Sequence, residues 1–416
     1  MNNQTPLLTN DATVLGLLML TLALIFYTAS LSNRFWQKFY TFFPPLLLCY
    51  FIPGLYNSFG LISGDSSKLY SVVSQYFLPA TLVYFTLGMD FRAIARLGGK
   101  AIVVFLAGSL GVMLGGPVAI GIVKALSPQT VSGEGADAVW RGMATIAGSW
   151  IGGGANQTAL KEVFQPSDKL FSQVIAVDVI IAELWMGVLI YGAGISQKID
   201  AFFKADSSAV EEVKNKLEQD SIAGQRIATT KDWIFIAAIG FGATGLAHWC
   251  ADHIAPFIEH NYPSLKKFSL TSSFFWVVSL VTLFGISLSF TKLRSYDHVG
   301  ASKLGSVFLY VLVATIGMKM NILAIADNPG LFAIGIIWMF IHISVMLLAA
   351  KIVKAPFFFT ATGSMANVGG AASAPVVAAA FHPSLAPVGV ILAILGYALG
   401  TYCGYLTGLM MQWVTT

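Results

Sequence analysis

The sequence predicts an all-α polytopic membrane protein built as two inverted repeats, each containing one discontinuous helix. Three observations carry this prediction. Only 11% of the 416 residues are charged and the mean hydropathy is +0.74, whereas a soluble domain carries about 25% charged residues. Apolar runs long enough to cross a hydrocarbon core of roughly 30 Å recur along the whole chain. A glycine-rich motif occurs once in each half, with amide side chains beside it.

The runs lie at 12–31, 39–60, 69–88, 101–126, 139–164, 170–195, 233–251, 269–290, 304–325, 331–353, 356–381 and 386–414. They are continuous rather than alternating, so they predict helices and not barrel strands. Met1 to Thr13 holds no Lys or Arg, so the first run is expected to be a span rather than a signal peptide. Trp36, Trp233, Trp249 and Trp413 stand near span ends as interfacial anchors. The expected location is the bacterial inner (plasma) membrane, with lipid as the surrounding partner.

So little charge excludes a soluble enzyme, a disordered scaffold and a nucleic-acid binder. Cys49, Cys250 and Cys403 are widely separated and odd in number, which suits apolar fillers rather than a disulfide or metal framework. His248 and Cys250 have no metal-ligand spacing with other residues, and no nucleotide loop, nucleophile triad or zinc cluster is present. No catalysis, transition metal or cofactor is expected beyond a coupling ion.

The segment 196–232 carries Glu211, Glu212, Lys214, Lys216, Glu218 and Asp220. Its nearly balanced signs predict a solvated connector. It divides the chain into a membrane half at 1–195, the linker, and a second membrane half at 233–416.

The halves echo each other. Thr86-Leu87-Gly88-Met89 matches Thr315-Ile316-Gly317-Met318, and Thr145-Ile146-Ala147-Gly148-Ser149 with Gly153-Gly154-Ala155 matches Thr360-Ala361-Thr362-Gly363-Ser364 with Gly369-Gly370-Ala371. The gap between the motifs is longer in the first half by about the length of the polar loop 128–138. Arg92, Arg96 and Lys100 follow the first Gly-Met, whereas Lys292, Arg294 and Lys303 precede the second span and Lys351 and Lys354 follow the next one. Basic residues mark the cytoplasmic side, so the halves point opposite ways. The span count disagrees, because 69–88 and 304–325 are an even number of spans apart. One assignment must therefore be wrong by a crossing, with 170–195 or the 233–290 pair expected to be responsible and about 11 to 13 crossings in all.

Two segments cannot be uniform helices. The stretch 148–158 holds Gly148, Gly152, Gly153 and Gly154, and 363–375 holds Gly363, Gly369, Gly370 and Pro375; each glycine costs a helix about 1 kcal/mol relative to Ala. Unwound backbone at membrane depth is tolerated where protein or a watery cavity meets its polar groups. Close packing explains glycines but not the neighbouring Asn156, Gln157, Thr158 and Asn367, since buried amides need partners. These four, with Gly153 and Gly369, are the expected substrate site. Asp178 and Glu183 are the only carboxylates well inside a span and are the expected ion-coupling residues. His342 is expected to be a satisfied packing residue.

Through Gly148-Ser149-Trp150-Ile151-Gly152-Gly153-Gly154-Ala155-Asn156 and Thr362-Gly363-Ser364-Met365-Ala366-Asn367-Val368-Gly369-Gly370, the chain resembles, over nearly its whole length, the membrane family called domain of unknown function 819. More distantly it is similar to secondary transporters of the bile acid–sodium symporter and cation–proton antiporter type. That likeness implies crossed discontinuous helices in a core domain, a panel domain carrying homodimer contacts, and an elevator-like movement. It adds Ser364 to the site and puts Asp178 on the helix after the crossing. Val177 precedes Asp178 where those antiporters have a paired polar residue, which counts against pure cation–proton exchange.

The expected function is sodium-coupled import of a small polar organic solute, such as an organic anion, amino-acid derivative or short peptide. Sodium would lie near Asn156, Asp178 and Asn367. The alternative is a monovalent cation–proton antiporter using Asp178 or Glu183; a membrane scaffold or sensor working through the linker ranks last.

Overall fold

The computed structural model describes residues 6–43, 45–64, 66–206, 210, 227–268, 270–320, 328–382 and 385–416, which contain helices and no strand. In chain order the membrane elements of the first half are α1 (Asp11–Ala29), α2 (Arg34–Phe42), α3 (Pro45–Ser58), α4 (Leu69–Val72), a π-turn over Val73–Phe77, α5 (Leu78–Leu87), the short α6 (Phe91–Arg96), α7 (Gly99–Leu126), α8 (Val139–Gly152), α9 (Gly154–Phe164) and α10 (Asp168–Gly194). After α11 (Ser196–Phe203) come α12 (Thr230–Asn261), α13 (Ser273–Ser289), α14 (Ala301–Gly317), α15 (Gly330–Val353), α16 (Phe357–Val368), α17 (Gly370–Phe381) and α18 (Ala386–Thr415). The charged stretch Glu211 to Asp220 lies outside the described residues.

Local chemistry sets several boundaries. Asn10, Ser167 and Ser272 accept backbone N–H groups at the starts of α1, α10 and α13, and Thr229 with Asp232 forms a capping box on α12. The π-turn precedes Pro79, which has no N–H to offer the carbonyl of Gln75. His248 of α12 donates to that carbonyl from Nε2 at 3.0 Å. A histidine with no metal spacing thus serves to satisfy a backbone oxygen left open by proline.

Among the described residues six helices are uninterrupted and of spanning length: α1, α7, α10, α12, α15 and α18. Helices α13 and α14 are apolar but shorter, and Arg34–Tyr40 meets Pro45–Ser58 at an 80° bend. The segments 139–164 and 356–381 depart further from expectation, because each folds back on itself.

The fold-back follows from a glycine stripe. Gly396, Gly400, Gly404 and Gly408 recur every fourth residue on α18 and so share one face. Along this stripe α18 meets Ile151 and Gly152, then Gly152 and Asn156, then Gly148 and Leu160, and last Phe164 and Ala144. Numbers fall along α8 while they rise along α9, so the two are antiparallel legs of one hairpin. Arg141 Nη1 donates to the Phe164 carbonyl at 2.5 Å and ties the feet together. A side chain at any of these four glycines would collide with a leg, which is how small residues bring membrane helices into close contact.

Helices α16 and α17 form the second hairpin. The rings of Phe358 and Phe381 at its feet are 5.3 Å apart. Gly363 and Asn367 of α16 lie against Phe105 and Gly108 of α7, while α17 packs on α18 with Ala374 at Gly389 and Gly370 at Tyr397. Its feet lie at the basic end, where the Asp206 N–H donates to the Lys354 carbonyl and Lys100 pairs with Asp206 at 2.8 Å. The first hairpin enters from the other end, where Lys124 donates to the Val414 and Thr415 carbonyls at the end of α18.

These contacts correct two expectations. The discontinuous helices are not crossed spans, because each chain reverses at its glycine break instead of continuing. The non-crossing segments are therefore 139–164 and 356–381, not 170–195 or the 233–290 pair, and at most ten of the twelve expected segments cross. With 139–164 removed, 69–88 and 304–325 are an odd number of crossings apart. The contacts agree: Thr81 and Tyr84 of α5 meet Gly305 and Ser302 of α14, so these helices are antiparallel. Gly108 and Gly115 of α7 meet His342 and Trp338 of α15 in the same antiparallel sense.

Two packed blocks result. Helices α1, α3, α5 and α12–α14 pack together, and α7–α10 with α15–α18 enclose both hairpins. Exposed apolar side chains such as Leu106, Leu110, Leu114 and Val118 form a stripe along α7 suited to lipid.

Candidate functional site

The hairpin tips meet. Gly153 turns the first with φ 77° and ψ −179°, and Gly370 turns the second with φ 63°. A Cβ built on Gly370 would lie 3.6 Å from the Gly153 Cα, so the two reversals touch. Gly369, the expected counterpart of Gly153, has φ −106° and ends α16; the left-handed position belongs to Gly370. Tyr397 of α18 sits against both tips: its ring borders Gly153, and its hydroxyl accepts the Ala371 N–H at 3.4 Å. The legs that leave the tips, α9 and α17, both begin there, so two positive helix ends converge inside the membrane portion.

Buried amides hold the first hairpin together. Asn156 is fully buried; its Nδ2 donates to the Gly152 carbonyl at 2.6 Å and its Oδ1 accepts from Thr401 at 2.6 Å. Thr158 donates back to the Gly154 carbonyl at 3.0 Å. Asp178 lies alongside on α10. Its Oδ1 accepts Trp150 Nε1 at 2.6 Å from one leg, and its Oδ2 accepts Gln157 Nε2 at 2.8 Å from the other. The carboxylate therefore clamps the two legs across the break. Asn156→Ala would leave the Gly152 carbonyl and the Thr401 hydroxyl without these partners. It should destabilise the protein by roughly 1–3 kcal/mol, read as a lower melting temperature in detergent, with Thr401→Val costing less.

The second hairpin is held differently. Asn367 Nδ2 donates to Ser109 Oγ at 2.9 Å, while its Oδ1 is buried, has no hydrogen-bond partner among the described residues and presses on Gly108. Thr362 Oγ1 is likewise buried and unpartnered among the described residues. Ser364 receives Trp185 Nε1 at 2.8 Å and bonds His342 Nε2 at 2.8 Å, and His342 Nδ1 donates to the Gly108 carbonyl at 2.9 Å. His342 thus joins α15 to α7 and α16, a packing role with both ring nitrogens engaged. Glu183 is half-buried on α10 and enters no hydrogen bond or ion pair among the described residues. It is five residues from Asp178, about 140° around the helix, and the structure does not bring the two together.

Three features escaped the sequence reading. Tyr397 is one. Another is an ionic cluster linking the two blocks: Lys161 pairs with Asp168 at 3.1 Å and bonds the Tyr70 hydroxyl at 2.8 Å, Lys319 pairs with Asp168 at 3.1 Å, and Tyr70 donates to Glu162. Charged Lys161 and Glu162 inside an expected span were the available signal. The third is a cavity of about 340 Å³ between the hairpin block and α5 and α14, bordered by Ala371 and Tyr397 on one side and by Phe85, Asp297, Ser302 and Tyr310 on the other.

A family model described as protein of unknown function (DUF819) matches residues 16–414. The chain is also similar to the uncharacterized membrane protein YjcL of Bacillus subtilis (strain 168), at 22% identity over 357 residues, 82% of this chain and 83% of that protein. With six apolar helices of spanning length among its described residues, the chain is an integral membrane protein of a kind found in bacteria.

Proposed function

Since the chain belongs to the DUF819 family, a family without a described function, we propose from the geometry that it is a secondary active transporter of a small polar solute. One observation carries this reading: two hairpins from opposite ends meet tip to tip beside a cavity between two packed blocks. Broken helices that converge at depth give a solute both helix termini and unwound backbone, and relative movement of two blocks exposes such a site to each side in turn. In this reading the halves are an inverted duplication. The antiparallel pairs α5 with α14 and α7 with α15, and hairpins of opposite entry, support it.

The coupling ion is proposed to be sodium. Asp178 holds both oxygens against neutral donors beside the first break, where they can also ligate a cation. Uptake into proteoliposomes with and without an inward sodium gradient tests the reading. Solute accumulation that collapses with the gradient is expected, whereas accumulation driven equally by a proton gradient alone would replace sodium with protons. No accumulation of any solute class under either gradient would remove the transporter assignment.

Topology is tested separately. Single cysteines replacing Arg96 and Asn328 in a background without the native cysteines should react with impermeant maleimide from opposite faces of the membrane, Arg96→Cys from the cytoplasmic one. Reaction from one common face would contradict the inverted arrangement.

A further inference from the structure

We propose that the cavity beside the hairpin tips takes a small solute bearing a positively charged nitrogen, with Asp297 as its counter-ion and aromatic rings as its walls. This rests on the transporter reading for its physiological meaning but not for its test. Asp297 is the one formally charged residue lining the cavity among the described residues. Its Oδ1 is committed to the backbone N–H of Ser302 at 3.2 Å and to the Ser302 hydroxyl. Its Oδ2 accepts no hydrogen bond among the described residues and lies against Gly88, where a Cβ would be only 2.7 Å away. The nearby Arg294 is directed to Asp90 at 3.1 Å and does not neutralise Asp297.

The other walls suit the same chemistry. Phe85 stacks on Tyr397 at 4.5 Å between centroids, and Tyr310 faces the cavity beside them. Aromatic faces attract a desolvated ammonium group, and a carboxylate supplies the remaining charge. Ser306 adds a hydroxyl for a polar substituent. The volume is near the lower end of small-molecule sites, which limits the ligand to a small amine. An organic anion would instead meet an acidic wall with no lining cation among the described residues.

The test separates binding from transport. Purified full-length protein in detergent is titrated with choline, ethanolamine and putrescine, and with acetate and succinate, following thermal unfolding and calorimetry; uptake of the bound probe into proteoliposomes follows. At least one amine should raise the melting temperature and bind with a measurable Kd, and neither anion should. Asp297→Asn keeps an oxygen for Ser302 yet loses the charge, so it should weaken amine binding about 10- to 100-fold. Tyr310→Leu, which leaves Asp297 intact, should weaken it several-fold and guards against a folding defect in the first variant. Stabilisation by the anions only, by no amine, or amine binding unchanged in both variants would overturn the proposal. Amine binding without uptake under any gradient would leave this site standing and sink the transporter reading instead.

Discussion

Asp178→Ala should be among the most damaging single substitutions in the chain. Trp150 Nε1 and Gln157 Nε2 would lose the carboxylate on which the two legs of the first hairpin converge. Bonds to a charged acceptor contribute more than neutral ones, and both donors are buried, so a loss of roughly 2–5 kcal/mol is expected. Asp178→Asn should cost less, because its amide oxygen still accepts one bond and Gln157 can rotate to present its own oxygen to the new NH₂ group. Melting temperature and the sodium dependence of uptake, measured on both variants, divide the clamp from a coupling role. A stable Asp178→Asn protein with lost sodium dependence assigns Asp178 to ion coupling. Reduced stability with the dependence intact assigns it to the clamp alone, and no effect on either in the Ala variant would show that neither bond matters.

Gly153→Ala should be comparably severe for function. The backbone there has φ 77° and ψ −179°, a region essentially restricted to glycine and costing other residues about 1–3 kcal/mol. The added methyl would also stand 3.1 Å from the Tyr397 ring, at the point where both tips meet. Uptake should be lost and the melting temperature lowered. Gly154→Ala is the matched control: its Cβ meets nothing within 4 Å and the residue is helical, so it should be neutral or slightly stabilising. Equal damage from both would refute the conformational argument. Gly370→Ala should fall between them, since its Cβ has ordinary contact distances and only the positive φ opposes it.

The residues read from the sequence as the candidate site, Asn156, Gln157, Thr158, Ser364 and Asn367, are all nearly or fully buried and border the two breaks, but none of them lines the cavity, whose described walls include Asp297, Tyr310 and Tyr397. What each side chain faces was not legible. Asn156 bonds Thr401, Asn367 bonds Ser109, and Ser364 bonds Trp185, partners contributed by distant segments. The four-residue glycine spacing on α18 went unread in the sequence, although such spacing permits close helix contact, and it is this stripe that receives both legs of the first hairpin. Tyr397 gave no signal, because one tyrosine in an apolar span does not differ from an ordinary packing residue.

The sequence by itself determined membrane residence, the positions of the apolar segments and both breaks, and the opposed charge pattern of the halves. Those properties are sums over neighbouring residues: hydropathy over a span, glycine cost within one helix, basic residues in one loop. Only the tertiary structure decided that the broken segments turn back, that their tips meet, and that a cavity opens between the blocks. A hairpin and a kinked span can share the same hydropathy and the same glycine. The choice between them rests on a backbone torsion and on whether a surface more than 200 residues away, the glycine face of α18, is smooth enough to accept two legs at once.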